Sequence, residues 1–333
     1  MLKRKWIPSQ LPSNKVEPPL PPRPIRGSRS LFVVWLAVRI VWHVLTTKRP
    51  APDDGLSLAQ FMRNEFERLG GLWVKVAHVL SARRDAYPRT FCTELAKTTD
   101  FAIALSGESV GHTIRTEMGG SPNEIFREFD VVPIAATILS RLHIAWLREK
   151  DVKVAIKIQN PGSKMTLAQD LSILTKLTAL GRFFRLRESA KLDEVVIELE
   201  NWVRKSSDYR VRAGMMGELR EKVRSKTVYV PKVFPRYCTE RVLVMEFIDG
   251  VSVVDYERAN RQFPKEMKNW RRTNGIHAGK LRKRLDTLME YFLRDLSTCT
   301  IPRSIFILRN DRLAIVDVDV SASIGKKIDM KSL

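Results

Sequence analysis

Lys157 and Asp317 are the two residues of this chain whose types and settings could act together chemically. Lys157 lies in the run VAIKI (154–158), and Asp317 closes the run RLAIVD (312–317). Both runs are rich in β-branched and aliphatic residues and predict strands. A lysine on a strand can neutralise a phosphate chain. A carboxylate just past a later strand can hold magnesium beside it. That pairing is the chemistry of nucleotide phosphate handling, and the elements between the two residues decide whether they meet.

Those elements are readable from periodicity. Residues 58–97 carry apolar side chains at helical spacing (Phe61, Phe66, Leu69, Trp73, Val76, Val79, Leu80). Residues 138–147 and 152–158 are β-rich runs joined by the polar turn Arg148-Glu149-Lys150-Asp151, which predicts a hairpin. Residues 167–216 read as helical again, 228–233 and 241–248 as two strands ending at Asp249-Gly250, and 253–298 as basic helices. Residues 305–308 and 313–317, around Arg309-Asn310-Asp311, form a last hairpin. No repeat of 20–50 residues is visible.

Composition narrows the function classes. The 333 residues carry 58 Lys+Arg against 37 Asp+Glu, a net charge of +21, so nucleotide and anionic membrane surface both suit the chain as partners. Residues 1–50 hold ten basic residues and one acid, Glu17. Seven prolines and seven basic residues within 1–30 predict an extended, disordered arm. Residues 31–45 (LFVVWLAVRIVWHVL) are the most hydrophobic stretch but too short to cross a bilayer comfortably. They predict either a helix packed on the domain or an interfacial helix between basic flanks. Residues 261–284 hold nine basic residues around Trp270. A solvated helix face explains this patch without nucleic acid, because no nucleic-acid-binding motif accompanies it. Three scattered cysteines and five scattered histidines exclude a zinc site by spacing and fit a reducing, cytoplasmic setting.

Residues 69–88 read LGGLWVKVAHVLSARRDAYP and resemble the N-terminal signature LGxxxxKxGQxLSxRxDxxP of the UbiB/AarF atypical kinase-like family. Further matches follow in order: PIAA (133–136), VAIKIQNPG (154–162), DYR (208–210), YVPKV (229–233), RVLVMEFIDGV (241–251) and Asp317. The resemblance covers roughly residues 58–322. It implies an α+β, bilobal protein-kinase-like fold: a helical extension over 58–130, a first lobe over 131–250 and a shortened second lobe over 251–333. It implies ATP or ADP with magnesium as cofactor, a link to isoprenoid-lipid (quinone) metabolism and a peripheral membrane setting. Position by position, Lys157 matches the phosphate-contacting lysine. Ala135 and Ala136 take the place of the kinase glycine loop. Glu246 to Gly250 match the hinge that would meet adenine through its backbone, and Asp317 matches the magnesium ligand. Lys75, with His78 three residues on, matches the regulatory motif that folds over the active site.

The departures from that pattern concentrate where phosphoryl transfer would occur. His78 replaces a glutamine and Ala77 a glycine, while Thr137-Ile138 stands for alanine-serine. Ser206 replaces an acid two residues before Asp208, and Arg212 replaces the glutamate that should pair with Lys157. Arg212 is therefore expected to repel Lys157 and leave it without a positioning carboxylate. The loop HxDPHPGN becomes STCTIPRS (297–304), with Cys299 on the catalytic aspartate and Ser304 on the metal-binding asparagine. The expectation is a pseudokinase with a regulatory or scaffolding role and a protein partner. The alternatives are an active ATPase or small-molecule kinase using Asp295, Asp319 or Cys299, and a basic membrane- or nucleic-acid-binding module.

Overall fold

The computed structural model describes residues 9–11, 28–46, 55–99, 108–149, 151–183, 189–223, 225–295 and 304–317. Helices α1 (Arg29–Thr46), α2 (Leu56–Leu69), α3 (Leu72–Ala82), α4 (Arg89–Leu95), α5 (Glu108–Met118) and α6 (Pro122–Ile125) come first. Strands β1 (Phe126–Phe129), β2 (Ala135–Ala136), β3 (Ser140–Leu147) and β4 (Val152–Gln159) follow. Helices α7 (Ser163–Phe183), α8 (Ser189–Ser206) and α9 (Tyr209–Lys222) then precede β5 (Val228–Tyr229), β6 (Val242–Glu246) and β7 (Val251–Ser252). Helices α10 (Val253–Gln262), α11 (Pro264–Thr273) and α12 (Ala278–Asp295) lead to the hairpin β8 (Ile305–Leu308) and β9 (Arg312–Ile315).

The first sheet runs β1-β3-β4-β6, with β2 also paired to β3. Its β3–β4 hairpin is the one the sequence predicts. It closes through Asp151 at φ 46, a left-handed turn position that aspartate tolerates better than most residues. Strand alternation then covers both faces. Val152, Val154, Ile156 and Ile158 share a core with Val242, Val244 and the α5 residues Val110 and Ile114. The opposite parity sends Ala155, Leu243 and Met245 into a core with Tyr209, Ala213, Met216 and Leu219 of α9. Lys157 shares that second parity, so the pleat aims it toward α9.

A third core joins the N-terminal helices to α7 and α8 through Phe66, Leu69, Trp73, Leu95, Leu167 and Leu199. The helical extension thus recruits two helices from what the sequence assigned to the first lobe. Gly71 sets the approach of α3 to the sheet. It sits at φ +56, and a Cβ there would lie 2.9 Å from Ile138 Cγ2, so a side chain would meet both strain and a clash.

Helix α1 packs on the domain by one face, as the first of its two expected readings has it. Val33 and Leu36 are buried against the helical core, and Arg29 pairs with Asp170 at 2.7 Å. Leu31, Val34, Trp35, Val38 and Trp42 lie exposed on the other side. Among the described residues, no helix is long and apolar enough to cross a membrane.

Two expectations need correction. Val228–Tyr229, placed by sequence in the first lobe, pairs in parallel with β9 in a second sheet of order β5-β9-β8-β7. Its partner lies 85 residues away, beyond the reach of any local pattern. Within the arm, residues 9–11 dock on the second lobe rather than lying free. Trp270 Nε1 donates to the Ser9 carbonyl at 2.8 Å, the Ser9 amide donates to Asn274 Oδ1 at 2.7 Å, and Leu11 packs on the same core. At its other end the expected arm is cut short, because Arg29 and Ser30 already belong to α1; residues 1–8 and 12–27 lie outside the described residues. Trp270 itself is buried against Tyr256, so the basic 261–284 segment does not present it as a stacking surface.

Candidate functional site

A cleft of about 430 Å³ opens between the first sheet, α3, α8, α9 and the end of β9. Its walls include Lys75, His78, Ala135, Lys157, Arg212, Ser304 and Asp317. Most of the residues singled out from sequence therefore meet in one place, across separations of up to 242 positions.

Asp317 sits two residues past the last paired residue of β9 and is gripped from two sides. Lys157 Nζ donates to Asp317 Oδ2 at 2.8 Å. One Arg212 guanidinium nitrogen donates to both carboxylate oxygens, at 3.1 and 2.9 Å. The expectation that Arg212 strips Lys157 of a carboxylate is corrected: both cations share Asp317, which screens them from each other. They also flank the Tyr209 ring, Lys157 Nζ at 6.0 Å and the Arg212 guanidinium carbon at 5.6 Å from its centroid.

Arg212 reaches this position because of how α9 begins. Asp208 is its N-cap and accepts from the Arg210 amide at 2.8 Å. Hydrogen bonding from the Arg210 side chain holds the Asp208 carboxyl below the usual carboxylate range. One turn on, Arg212 lies on the buried side of the helix with Tyr209, Ala213 and Met216. A lone cation on an apolar helix face needs an anion across the interface, and that signal was present in the sequence.

The alanine turn is different from its expected form. Ala135 and Ala136 form a short strand paired with Leu142 and Arg141, and Ala135 faces the cleft. The tight turn comes next, at 137–140. Thr137 Oγ1 accepts from the Leu139 and Ser140 amides at 3.3 and 3.1 Å, and Asn160 Nδ2 donates to the Thr137 and Ile138 carbonyls. Thr137, standing where the family has alanine, thus occupies two amides that a phosphate could otherwise use.

Glu246 points away from the cleft. Its carboxylate accepts from the Tyr229 hydroxyl at 2.5 Å and the Lys232 amide at 3.3 Å, and its own amide donates to the Lys232 carbonyl. Burial first, then the hydrogen bond to Glu246, pushes the Tyr229 hydroxyl up to about 12. Met245, one residue earlier, supplies the cleft surface instead. Lys75 is almost fully buried, 6.0 Å from the centre of the Trp202 ring. His78 Nε2 lies 3.1 Å from the Thr98 carbonyl, an acceptor only, so that nitrogen carries the proton. Trp202 is a wall element that the sequence did not mark, because helix α8 reaches the cleft only through tertiary packing.

A kinase-like domain in general uses nucleotide with magnesium, a hard cation that wants several oxygen donors. Among the described cleft-lining residues Asp317 is the single carboxylate, and it is already engaged by two cations. No group of three His, Cys, Asp or Glu side chains comes together among the described residues. The described donors do not by themselves fit magnesium. Cys299, Asp319 and the 297–303 loop lie outside the described residues, as does the side chain of Asp295.

Comparison with known proteins follows the same lines. Residues 97–293 match the ABC1 atypical kinase-like domain. The probable protein kinase UbiB of Histophilus somni is 33% identical over 228 residues, 67% of this chain and 41% of that protein. The probable protein kinase UbiB of Vibrio parahaemolyticus is 30% identical over 203 residues, covering 60% and 37%. The chain thus spans less than half the length of these curated relatives. Among solved structures, the Rv3197–erythromycin complex from Mycobacterium tuberculosis aligns at a TM-score of 0.49 with 21% identity, covering 89% of this chain and 67% of that one. With the domain match spanning more than half its length and the strand lysine, N-terminal motif and Asp317 gathered at one cleft, the chain belongs to the ABC1, or UbiB/AarF-type, atypical kinase-like family and has that family's bilobal α+β fold.

Proposed function

We propose that this chain is a pseudokinase of the UbiB type. Its cleft serves binding rather than phosphoryl transfer, and its role is regulatory or scaffolding, in the setting of isoprenoid-lipid (quinone) metabolism. The observation that carries the reading is the state of Asp317: the one described carboxylate of the cleft is held by Lys157 and Arg212. Transfer needs a carboxylate for the metal and another to orient the acceptor. The composition of the 297–304 loop, with no acid, supports the same reading. With purified protein and magnesium-ATP, phosphate release is expected to stay at background for wild type and Lys157→Ala alike. Turnover that disappears in Lys157→Ala or Asp317→Ala would overturn the proposal.

A second reading, attachment to an anionic membrane surface, is favoured by α1. Its exposed face carries Leu31, Val34, Trp35, Val38 and Trp42, and ten basic residues lie within 1–50. Co-sedimentation with phosphatidylserine-containing vesicles is expected to fall steeply with salt and to drop in Val38→Glu with Trp42→Glu. Binding indifferent to both salt and these substitutions would count against it.

A further inference from the structure

We propose that the cleft takes the polyphosphate of a nucleotide without a divalent cation, with Arg212 supplying the positive charge that a metal would otherwise bring. The proposal rests on reading the cleft as a non-transferring nucleotide pocket. It adds how the phosphates are neutralised.

Charge is the first support. The described residues lining the cleft include three cations, Lys75, Lys157 and Arg212, and one carboxylate, Asp317. A surplus of two positive charges in a partly enclosed space attracts a phosphate chain and repels a free divalent ion. Two departures from the family's pattern act in the same direction. Arg212 stands for a glutamate and Ser206 for an acid, so each exchange makes the cleft region more positive.

Geometry is the second support. Lys157 and Arg212 both end within 2.9 Å of Asp317 Oδ2, so their donors converge on one point, as they would on a phosphate oxygen. Arg212 is built in rather than draped over the surface, with only 9% of its side chain exposed. In the adjoining pocket, lined also by Lys157, Tyr209 and Arg212, the buried Ser206 hydroxyl has no hydrogen-bond partner among the described residues. A buried hydroxyl with no partner is a donor for which a phosphate oxygen would be the matching acceptor.

In this arrangement Asp317 acts as a placeholder anion. It keeps the two cations in position while the cleft is empty, and an incoming phosphate competes with it for the same donors. A metal-dependent site predicts the opposite role, in which Asp317 helps to hold the nucleotide through the ion.

The test is ATP binding by isothermal titration calorimetry on wild type, Arg212→Met and Asp317→Asn, each with EDTA and with excess magnesium, alongside the turnover assay. Wild type is expected to bind ATP in EDTA at least as tightly as with magnesium. Arg212→Met is expected to weaken binding in EDTA by on the order of tenfold, the loss of one close charge. Asp317→Asn keeps an acceptor for Arg212 but removes the competing charge, and is expected to tighten binding several-fold. That gain would not arise from damaged folding. Binding that requires magnesium, or that Asp317→Asn abolishes, overturns this inference and leaves the pseudokinase reading standing if turnover is absent. Magnesium-dependent turnover overturns both. The absence of ATP binding under either condition also overturns the inference.

Discussion

Asp317→Ala is expected to lower unfolding stability by about 2–4 kcal/mol, while Lys157→Ala costs about 1 kcal/mol or less. The asymmetry follows from burial. Arg212 has 9% of its side chain exposed, against 21% for Lys157 and 25% for Asp317. Removing Asp317 takes a carboxylate that accepts twice from a guanidinium that water reaches poorly, and weakening the compensation of a buried cation is expensive. Removing Lys157 leaves Asp317 on Arg212 and gives up a bridge that solvent already screens. Urea unfolding of the two variants measures the difference directly. Equal losses would mean that Arg212 does not depend on this carboxylate. The order also separates this chain from a site built around the strand lysine, in which losing that lysine would be the damaging change.

Trp270→Ala should cost still more, about 3–5 kcal/mol, the range for emptying a large aromatic from a core. The ring is buried in the second-lobe core and lies 6.0 Å from Tyr256, and its Nε1 holds the Ser9 carbonyl. Trp270→Phe keeps most of the packing and loses the hydrogen bond, so about 1 kcal/mol is expected. The two variants share one further consequence: residues 9–11 lose an anchor, and limited proteolysis near them should accelerate in both. An arm cut at the wild-type rate in Trp270→Phe would show that Asn274 and Leu11 hold it without the indole. Because this tryptophan lies inside the basic 261–284 segment, the experiment also bears on how that segment is used. A residue needed to close a core is not available to stack on a base.

The catalytic-type residues themselves were legible in the sequence to an unusual degree. Lys157 and Asp317 lie on strand-like runs whose alternation is local, and motif order placed Lys75 and His78 near them. Alternation also put Lys157 on the β4 face shared with Ala155, and the fold then packed α9 against that face. The hairpin turn at Asp151 and the cap at Asp208 were similarly local, being set by residue chemistry within a few positions.

What remained hidden was every relation in which the partner, rather than the residue, decides the outcome. Arg212 looked from sequence like a cation placed against Lys157. Only the fold brings Asp317 from 105 positions away and turns a repulsion into a shared ion pair. Thr137 looked like a small change in a phosphate-binding turn, and only the geometry shows its hydroxyl taking the amides. Glu246 looked like the first residue of a hinge that works through its backbone, and only the fold shows that its side chain goes to Tyr229. Helix α1 looked like a choice between packing and interfacial binding, and tertiary contact shows that Val33 and Leu36 pack while Val38 and Trp42 stay exposed.

The sequence by itself determined the family, the lobes in outline and which residues would be charged. Tertiary structure alone decided which of those charges meet. Secondary structure and motif depend on neighbours along the chain, whereas electrostatic pairing depends on distance in space and on how much water is excluded around it.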